Sequence, residues 1–255
     1  MMGNKNIFKK FILFFIIILI WCFGSSINLW NPFLIPPPTK VINTFFLLLS
    51  NGKLFHHLFA SFFRIVLGFA IAFSFSVPLA IIFGIFPKIY IYFQGILEFL
   101  RHTPPLSLMP LIILWFGIGE TSKVIIIILA SFFPLFLNTL KGLSSCDKKL
   151  IEVGQVFGFN KWQIFKKIII PNAIPDILLG IKLAVGYSWR AIIGAEMIAA
   201  SSGLGYLILD GQILSRIDIV IIGILSIGIF GTLTDGILEK IINNFLKKRG
   251  VGFNG

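Results

Sequence analysis

The sequence contains few charged residues and very few side chains that bind metals or form disulfides. Charged residues make up 13% of the 255 positions, about half of the usual share in soluble domains. There are two cysteines and three histidines, and Cys22 and Cys146 are too far apart in sequence to indicate a disulfide framework or a zinc site. Small disulfide-rich or zinc-binding domains are therefore excluded.

Apolar residues are abundant instead. They account for 57% of the chain and include 29 phenylalanines, and the mean hydropathy is +0.97. A soluble domain of this length exposes a large surface to water, and polar residues must form much of that surface. This composition has too few polar residues to do so. The sequence therefore predicts an all-α integral membrane protein and argues against a disordered chain or a cytosolic enzyme.

Six apolar runs predict six transmembrane helices, since about 20 residues cross ~30 Å of hydrocarbon. They are residues 11–30, 62–86, 106–118, 124–140, 174–200 and 217–242. The lysines before the first run are also typical of a cleaved signal peptide. We favour a retained span, because the apolar run continues as far as Trp30.

Prolines and polar segments divide the chain around these runs. Prolines at 32 and 36–38 place that segment outside the hydrocarbon, and apolar residues at helical spacing over 39–57 predict a short amphipathic helix. Residues 1–50 are thus predicted as an N-terminal span with an extracytoplasmic linker. Residues 51–245 are predicted as the transmembrane domain, with a cytoplasmic loop at 146–171, and residues 246–255 as a cytoplasmic tail.

The formal net charge of +12 is explained by topology. With the amino terminus placed inside, about three times as many lysines and arginines lie on the cytoplasmic side of the predicted spans as on the other side, as the positive-inside rule requires. Both termini are therefore predicted to be cytoplasmic, and the basic charge does not indicate nucleic-acid binding.

The longest predicted cytoplasmic segment, residues 146–171, reads as two short helices separated by a bend. Asp147 and Asn160 are suitable amino-terminal caps, and Gly158 permits a left-handed helix end. Pro171 is predicted to end the second helix where the fifth span begins. The aromatic residues around the bend could insert into a groove of a partner or pack against the helix ends of this chain, and the residues leave both interpretations open. These aromatic residues are Phe157, Phe159 and Trp162.

The same segment resembles the cytoplasmic loop of permease subunits of bacterial ATP-binding-cassette importers. That loop has Glu-Ala-Ala, three residues, Gly, nine residues and Ile-x-Leu-Pro. Here Glu152, Val153 and Gly154 stand at the first three positions and Gly158 at the glycine. The segment Ile168–Pro171 stands at the end, with Ile170 in place of leucine.

The resemblance extends over about residues 55–245 and is closest to the nitrate, sulfonate and taurine branch of these permeases. The segments that carry it are Pro104–Leu111, Trp115–Glu120, Phe133–Thr139, Ala195–Met197 and Ser201–Ile208. The branch also includes permeases proposed to import vitamin precursors. A small anion such as nitrate, a sulfonate or taurine is therefore the expected substrate, with a pyrimidine vitamin precursor as the alternative.

The resemblance implies a permease of the type I importer class that pairs with a second copy around a central pathway. Its loop would dock as a coupling helix on an ATP-binding-cassette ATPase, and an extracytoplasmic binding protein would deliver the substrate. ATP would bind to the ATPase and drive alternating access, so no cofactor or enzymatic activity is expected on this chain. By resemblance, the coupling residues are Glu152, Val153, Gly154, Phe157, Gly158, Phe159, Ile168 and Pro171.

Three charged residues fall in or near the fifth run: Lys182, Arg190 and Glu196. Charges in the membrane usually face protein or a water-filled cavity, and the helical period places all three on one side of the helix. A polar wall of the transport pathway is one interpretation. A structural ion-pair network, or a lysine that extends to the membrane surface, is the other.

A stand-alone secondary transporter and a membrane-embedded enzyme are the competing classes. Many secondary transporters have inverted repeats with broken helices in both halves, and no repeat relates the two halves of this sequence. An enzyme needs converging titratable groups, whereas the ten acidic residues are scattered. The loop resemblance favours the importer permease over both.

Overall fold

The computed structural model describes residues 4–248, with side chains from residue 12 onward. Every regular element in that part of the chain is helical, as predicted. The helices are α1 (Asn4–Ser26), α2 (Pro38–Ser50), α3 (Lys53–Ile85), α4 (Pro87–His102), α5 (Met109–Phe116), α6 (Glu120–Ser144), α7 (Lys148–Val156), α8 (Lys161–Ile164), α9 (Ile170–Ala199), α10 (Leu204–Ile213) and α11 (Ile217–Lys248). A 3₁₀ turn (Pro105–Leu108) precedes α5, and a π-helical turn (Phe165–Ile169) joins α8 to α9. The predicted tail 246–255 falls on the end of α11 and then outside the described residues.

Four of the described helices are long and apolar enough to cross a membrane. They are α3, α6, the continuous helix from Lys161 to Ala199, and α11. Two shorter apolar helices, residues 12–26 and 105–116, coincide with the first and third predicted runs. The structure therefore supports a helical membrane fold with four long apolar helices, and the count of six stays a prediction.

The second predicted run begins too late in the sequence. The amphipathic segment forms α2 and ends at Ser50, and a turn at Gly52, whose φ is +72°, leads directly into α3 at Lys53. The first turns of α3 contain polar residues, so the start of this helix could not be recognised from an apolar run. One of them, His57, accepts a hydrogen bond at Nδ1 from the Gly203 backbone N–H (3.1 Å).

Pro171 does not end a helix, contrary to the prediction. The chain is helical without interruption from Lys161 to Ala199, and Pro171 lies in the first turn of α9. The preceding turn is widened, so that the Ile170 N–H donates to the Phe165 carbonyl five residues earlier. A π-helical turn of this kind is a known way for a helix to accommodate a local disruption.

Small residues bring α3, α6 and α9 into close contact. Gly68 of α3 lies against Ile127 of α6, where a Cβ would come within 2.7 Å of the isoleucine side chain. Gly180 of α9 lies against α6, where a Cβ would be 2.9 Å from the Asn138 Cβ and 3.1 Å from the Pro134 carbonyl oxygen. Close packing at small residues is the usual basis of helix association in membranes.

The bundle has two chemically different ends. At one end, which we call the Arg64 end, ion pairs join the first turn of α6 to the last turns of α9 and to α3. At the other, the loop end, Gly84 of α3 lies against Leu143 of α6, and Lys141 pairs with Asp176 (3.1 Å). Residues 145–169 follow at this second end, so α3 and α6 both run from the Arg64 end to the loop end and α9 runs back in the opposite direction.

Gly180→Val should lower the apparent Tm of the purified protein, because the larger side chain overlaps α6. The expected loss of stability is about 1–3 kcal/mol, as for other overpacked positions. Gly186→Val is the matched control in the same helix, since a Cβ at Gly186 meets no heavy atom within 4 Å. Thermal unfolding of both variants in one detergent measures the effect, and equal Tm values would contradict this packing role.

Candidate functional site

The loop at residues 146–171 folds as the sequence predicts over its first half. Asp147 caps α7 by accepting a hydrogen bond from the Lys149 N–H (2.9 Å). Asn160 and Gln163 form a reciprocal capping box on α8, with both bonds at 2.9 Å. Gly158 has a φ of +75° and supplies the left-handed bend between the two helices. Both predicted caps and the predicted bend are confirmed.

Close packing at Gly154 holds the two arms of the loop together. Gly154 is buried, and a Cβ there would be 2.6 Å from Ile168 Cδ1 and 3.6 Å from a ring carbon of Phe159. The Lys167 ammonium lies over the Phe159 ring, 4.7 Å from its centre. Phe159 and Ile168 therefore stabilise the loop from inside.

The outer face of the loop is apolar and exposed. We call the residues that form it the loop patch: Leu150, Val153, Val156, Phe157 and Trp162. Phe157 is 76% exposed and Val156 87%. Apolar side chains this exposed on a well-capped loop are typical of an interaction surface. Phe159 thus packs inward against this chain, whereas Phe157 and Trp162 are exposed, and the insertion of these two side chains into a groove of a partner stays a prediction.

Two other predicted loop residues lie at the surface. Glu152 is exposed on α7, on the same helix as the loop patch. Pro171 is exposed at the start of α9. Their predicted part in contacting an ATPase stays a prediction.

The Arg64 end contains a buried network around one arginine of α3. Arg64 is 3% exposed, and its five N–H groups all have acceptors, as many as a guanidinium can use. Nε and Nη2 donate to the Glu120 carboxylate at 2.6 and 2.8 Å. Nη1 donates to Glu196 Oε1 at 2.7 Å. The remaining two bonds go to the carbonyl and the hydroxyl of Ser202 at 2.7 and 2.9 Å.

Glu196 of α9 is the buried acceptor of this network and has no exposed surface. Besides Arg64, its carboxylate accepts hydrogen bonds from the Ser61 hydroxyl (2.8 and 2.9 Å) and from the Gly205 backbone N–H (2.9 Å). Gly205 belongs to the first turn of α10, where free N–H groups favour an anion. Gly203 has a φ of +118°, and a Cβ there would overlap the Glu196 carboxylate, so only glycine fits.

The network balances its charges and joins four helices. Lys123 of α6 is 2% exposed and pairs with Glu120 (2.6 Å), which itself reaches the surface. Two cations thus meet two carboxylates, and the bonds link α3, α6, α9 and α10. Sequence reasoning missed Arg64 because it counted this residue among the charges on the outer side, although it lies inside the second predicted run. The available signal was an arginine within apolar sequence, which normally has a buried partner.

The three charged residues predicted to share one side of the fifth span have separate surroundings. Glu196 is buried in the Arg64 network. Lys182 pairs with Glu239 of α11 (2.8 Å). Arg190 is exposed, with its guanidinium 5.4 Å from the centre of the Tyr187 ring. The structure thus matches the ion-pair interpretation for Glu196 and Lys182, and a contact of any of the three with substrate stays a prediction.

A second buried carboxylate fastens α2 to the bundle. Asp218, in the first turn of α11, has no exposed surface and accepts hydrogen bonds from Thr44 (2.7 Å) and Arg216 (2.6 Å). The hydrogen bond to Asp218 raises the pKa of the Arg216 guanidinium. No group of three or more metal-binding side chains occurs in the described part of the chain.

Long apolar helices that are joined by a buried charge network at one end and carry a loop with an exposed apolar face at the other define a helical membrane protein. The chain belongs to the family described as binding-protein-dependent transport system inner membrane components, whose model matches residues 76–245. The predicted family and the predicted location in the inner membrane are confirmed at this level.

Curated relatives extend the similarity over most of the chain. An aliphatic sulfonates transport permease protein of Bacillus subtilis, SsuC, is 37% identical over 92% of this chain and 85% of its own length. The taurine transport system permease protein TauC of Escherichia coli is 33% identical over 86% of this chain and 82% of its own. The nitrate import permease protein NrtB of Synechocystis is 30% identical over 89% and 86%, respectively. These relatives are transport permeases and not enzymes, which confirms the predicted class and branch.

Arg64→Met should destabilise the protein by about 3–5 kcal/mol, because it leaves the Glu196 carboxylate buried without a counter-ion. Adding Glu196→Met should recover part of that loss, since the uncompensated charge is then removed as well. Arg190→Met is the control, because the Arg190 guanidinium is exposed. Thermal unfolding in detergent measures the three effects, and a double variant no more stable than Arg64→Met would contradict the pairing.

Proposed function

We propose that this chain is the pathway-forming permease subunit of an ATP-binding-cassette importer for a small anion, with a sulfonate, taurine or nitrate as the expected substrate. The relatives are named for the transport of aliphatic sulfonates, taurine and nitrate, which supports the substrate class. The observation that carries the proposal is the loop: its sequence spacing matches the coupling loop of such permeases, and it folds as a capped helix–bend–helix unit with an exposed apolar face.

In this proposal the loop end faces the cytoplasm. The lysines concentrated there support this orientation under the positive-inside rule; they are Lys141, Lys148, Lys149, Lys161, Lys166 and Lys167. Residues 51–245 form the transmembrane domain, α1 provides a further crossing, and α4 together with α5 provides the sixth. Both termini are then cytoplasmic.

The loop patch docks on an ATP-binding-cassette ATPase, which binds and hydrolyses ATP. Phe157 is the central anchor, because large exposed aromatic side chains commonly dominate the binding energy of an interface. Glu152 supplies a polar contact beside it. Gly154, Gly158, Phe159, Ile168 and Pro171 shape the loop rather than touch the partner.

Transport follows from movement of the docked loops. Two copies of the chain surround a central pathway within the lipid bilayer, and each copy holds one ATPase subunit. Closure of the ATPase pair on ATP draws the two loops together and opens the pathway to the extracytoplasmic binding protein. Hydrolysis separates the loops and opens the pathway to the cytoplasm. The continuous helix from Lys161 to Ala199 supports this scheme, because it links the loop directly to the Arg64 end.

Phe157→Ala should weaken association with the ATPase roughly thirtyfold or more, as loss of an aromatic anchor costs about 2 kcal/mol or more. Glu152→Arg and Gly158→Val should abolish uptake driven by ATP while leaving membrane insertion intact, the second because valine is strained at a φ of +75°. Co-purification from native membranes and substrate-stimulated ATP hydrolysis are the measurements.

Phe33→Ala is the matched control for Phe157→Ala. Phe33 is 78% exposed, like Phe157, but lies in the connection between α1 and α2. Its substitution should leave both measurements unchanged. Normal ATPase association in all three loop variants would overturn the docking assignment, and substrate uptake by the chain without any ATPase would favour a stand-alone transporter.

A further inference from the structure

The path of the chain between α3 and α6 is broken by two prolines. α4 ends at His102, and α5 begins only after the 3₁₀ turn. Because Pro104 and Pro105 have no N–H, the carbonyls of Leu100 and Arg101 lose their helical donors. The Thr103 N–H donates a hydrogen bond to the Leu100 carbonyl instead (3.2 Å). Pro105 has no N–H to donate to the Arg101 carbonyl.

This break lies within the depth of the bundle and not at its edge. Before the break, towards the loop end, Leu97 of α4 packs with the aromatic cluster that contains Phe136 of α6. After the break, towards the Arg64 end, Met109 packs with Ile126 and Ala130 of α6. These contacts lie roughly 9 to 24 Å along α6 from its first residue. A bilayer core of ~30 Å therefore encloses the break.

Polar side chains converge on the break from α4. Gln94, Glu98 and Arg101 are spaced so that they form one stripe along the helix, and all three are exposed. Gln94 donates to Glu98 (3.1 Å), and Arg101 Nη2 lies 3.3 Å from Nε2 of His102. Arg101 forms no salt bridge with any acid among the side chains that the structure describes.

A second exposed arginine borders the break from α9. Leu106 of the 3₁₀ turn lies against Gly194, where a Cβ would be 2.6 Å from a leucine methyl carbon. Arg190 is one helical turn before Gly194 on nearly the same face. One turn further, Gly186 has open space in front of it. The break thus lies between the polar stripe of α4, which ends at Arg101, and Arg190 of α9.

Such a surface cannot face lipid. Non-helical backbone at membrane depth is tolerated only where protein covers it or water reaches it, and charged side chains there face a cavity or partner. A concavity of about 570 Å³ between α3, α9 and α11 is lined mostly by aromatic and aliphatic side chains. It includes Phe55, Phe59 and Phe230, which suit an apolar occupant and not an anion.

We infer that Arg101 and Arg190, on either side of the helix break, line a water-filled pathway and contact the transported oxyanion. The inference rests on the proposed function and names the site within it. A guanidinium matches the planar or forked oxygens of nitrate and sulfonate better than an ammonium does. This surface has two arginines and one carboxylate, that of Glu98, which accepts a hydrogen bond from Gln94. Its net charge is therefore positive.

Thiol labelling in native membranes tests the water-filled surface. The background is the full complex with Cys22→Ser and Cys146→Ser, since both native cysteines are free. Ser107→Cys, exposed at the break, should react with anionic and cationic methanethiosulfonates, whereas Ile96→Cys, on the opposite side of α4, should not. Equal labelling of the two positions would overturn the inference.

Reagent charge tests the arginines. At the Ser107→Cys position the anionic reagent should react about tenfold faster than the cationic one, because the positive surface concentrates anions. Adding Arg101→Gln should remove most of that preference, and Lys88→Gln, on the same helix near the loop end, should not. A preference that is absent, or that survives Arg101→Gln, would overturn the role of Arg101.

Uptake of taurine, an alkanesulfonate and nitrate by the complete importer gives the functional readout. Arg101→Gln and Arg190→Gln should each slow uptake roughly tenfold to a hundredfold, with Arg101→Lys partly restoring it. The ATPase should still co-purify, since neither residue lies near the loop patch. Uptake at the normal rate in both glutamine variants would overturn the site. If no ATPase co-purifies with the unsubstituted chain, while Ser107→Cys and Ile96→Cys label as expected, the proposed function is refuted and the water-filled surface is not.

Discussion

A charge buried among apolar helices needs partners for all of its hydrogen bonds, and Arg64 meets this requirement. Its five donors are satisfied by two carboxylates and one serine, which come from α6, α9 and the segment before α10. Glu196 in turn is held by Ser61 and by the first turn of α10. The positions of four helices at this end thus depend on one guanidinium, and its removal would leave a carboxylate without compensation.

The two ends of the molecule differ in what their side chains do. At the Arg64 end, charge pairing and close contacts at glycines fix the helices relative to one another. At the loop end, the loop is fixed internally by its caps and by Gly154, while its outer face is left apolar and exposed. The uninterrupted helix from Lys161 to Ala199 connects them. A continuous helix of this kind can transmit movement of the loop to the bundle.

Much of the fold and part of the site could be predicted from local sequence. The apolar runs located the long helices, and Asp147, Asn160 and Gly158 fixed the shape of the loop because caps and left-handed bends depend on neighbouring residues only. The start of α3 and the continuation through Pro171 could not be predicted in this way. A hydrogen bond from Gly203, just before α10, holds the first turns of α3, and a widened turn accommodates the proline.

The sequence by itself determined that the chain is a helical membrane protein, that its loop belongs to importer permeases, and which residues cap that loop. These features follow from composition and short-range spacing. Only the tertiary structure decided that Glu196 lies in a buried network, that Lys182 pairs with α11, and that Arg101 and Arg190 border the same helix break. The partners in each case come from helices far apart in sequence, and helical periodicity gives the face of a residue but not the helix that packs against it.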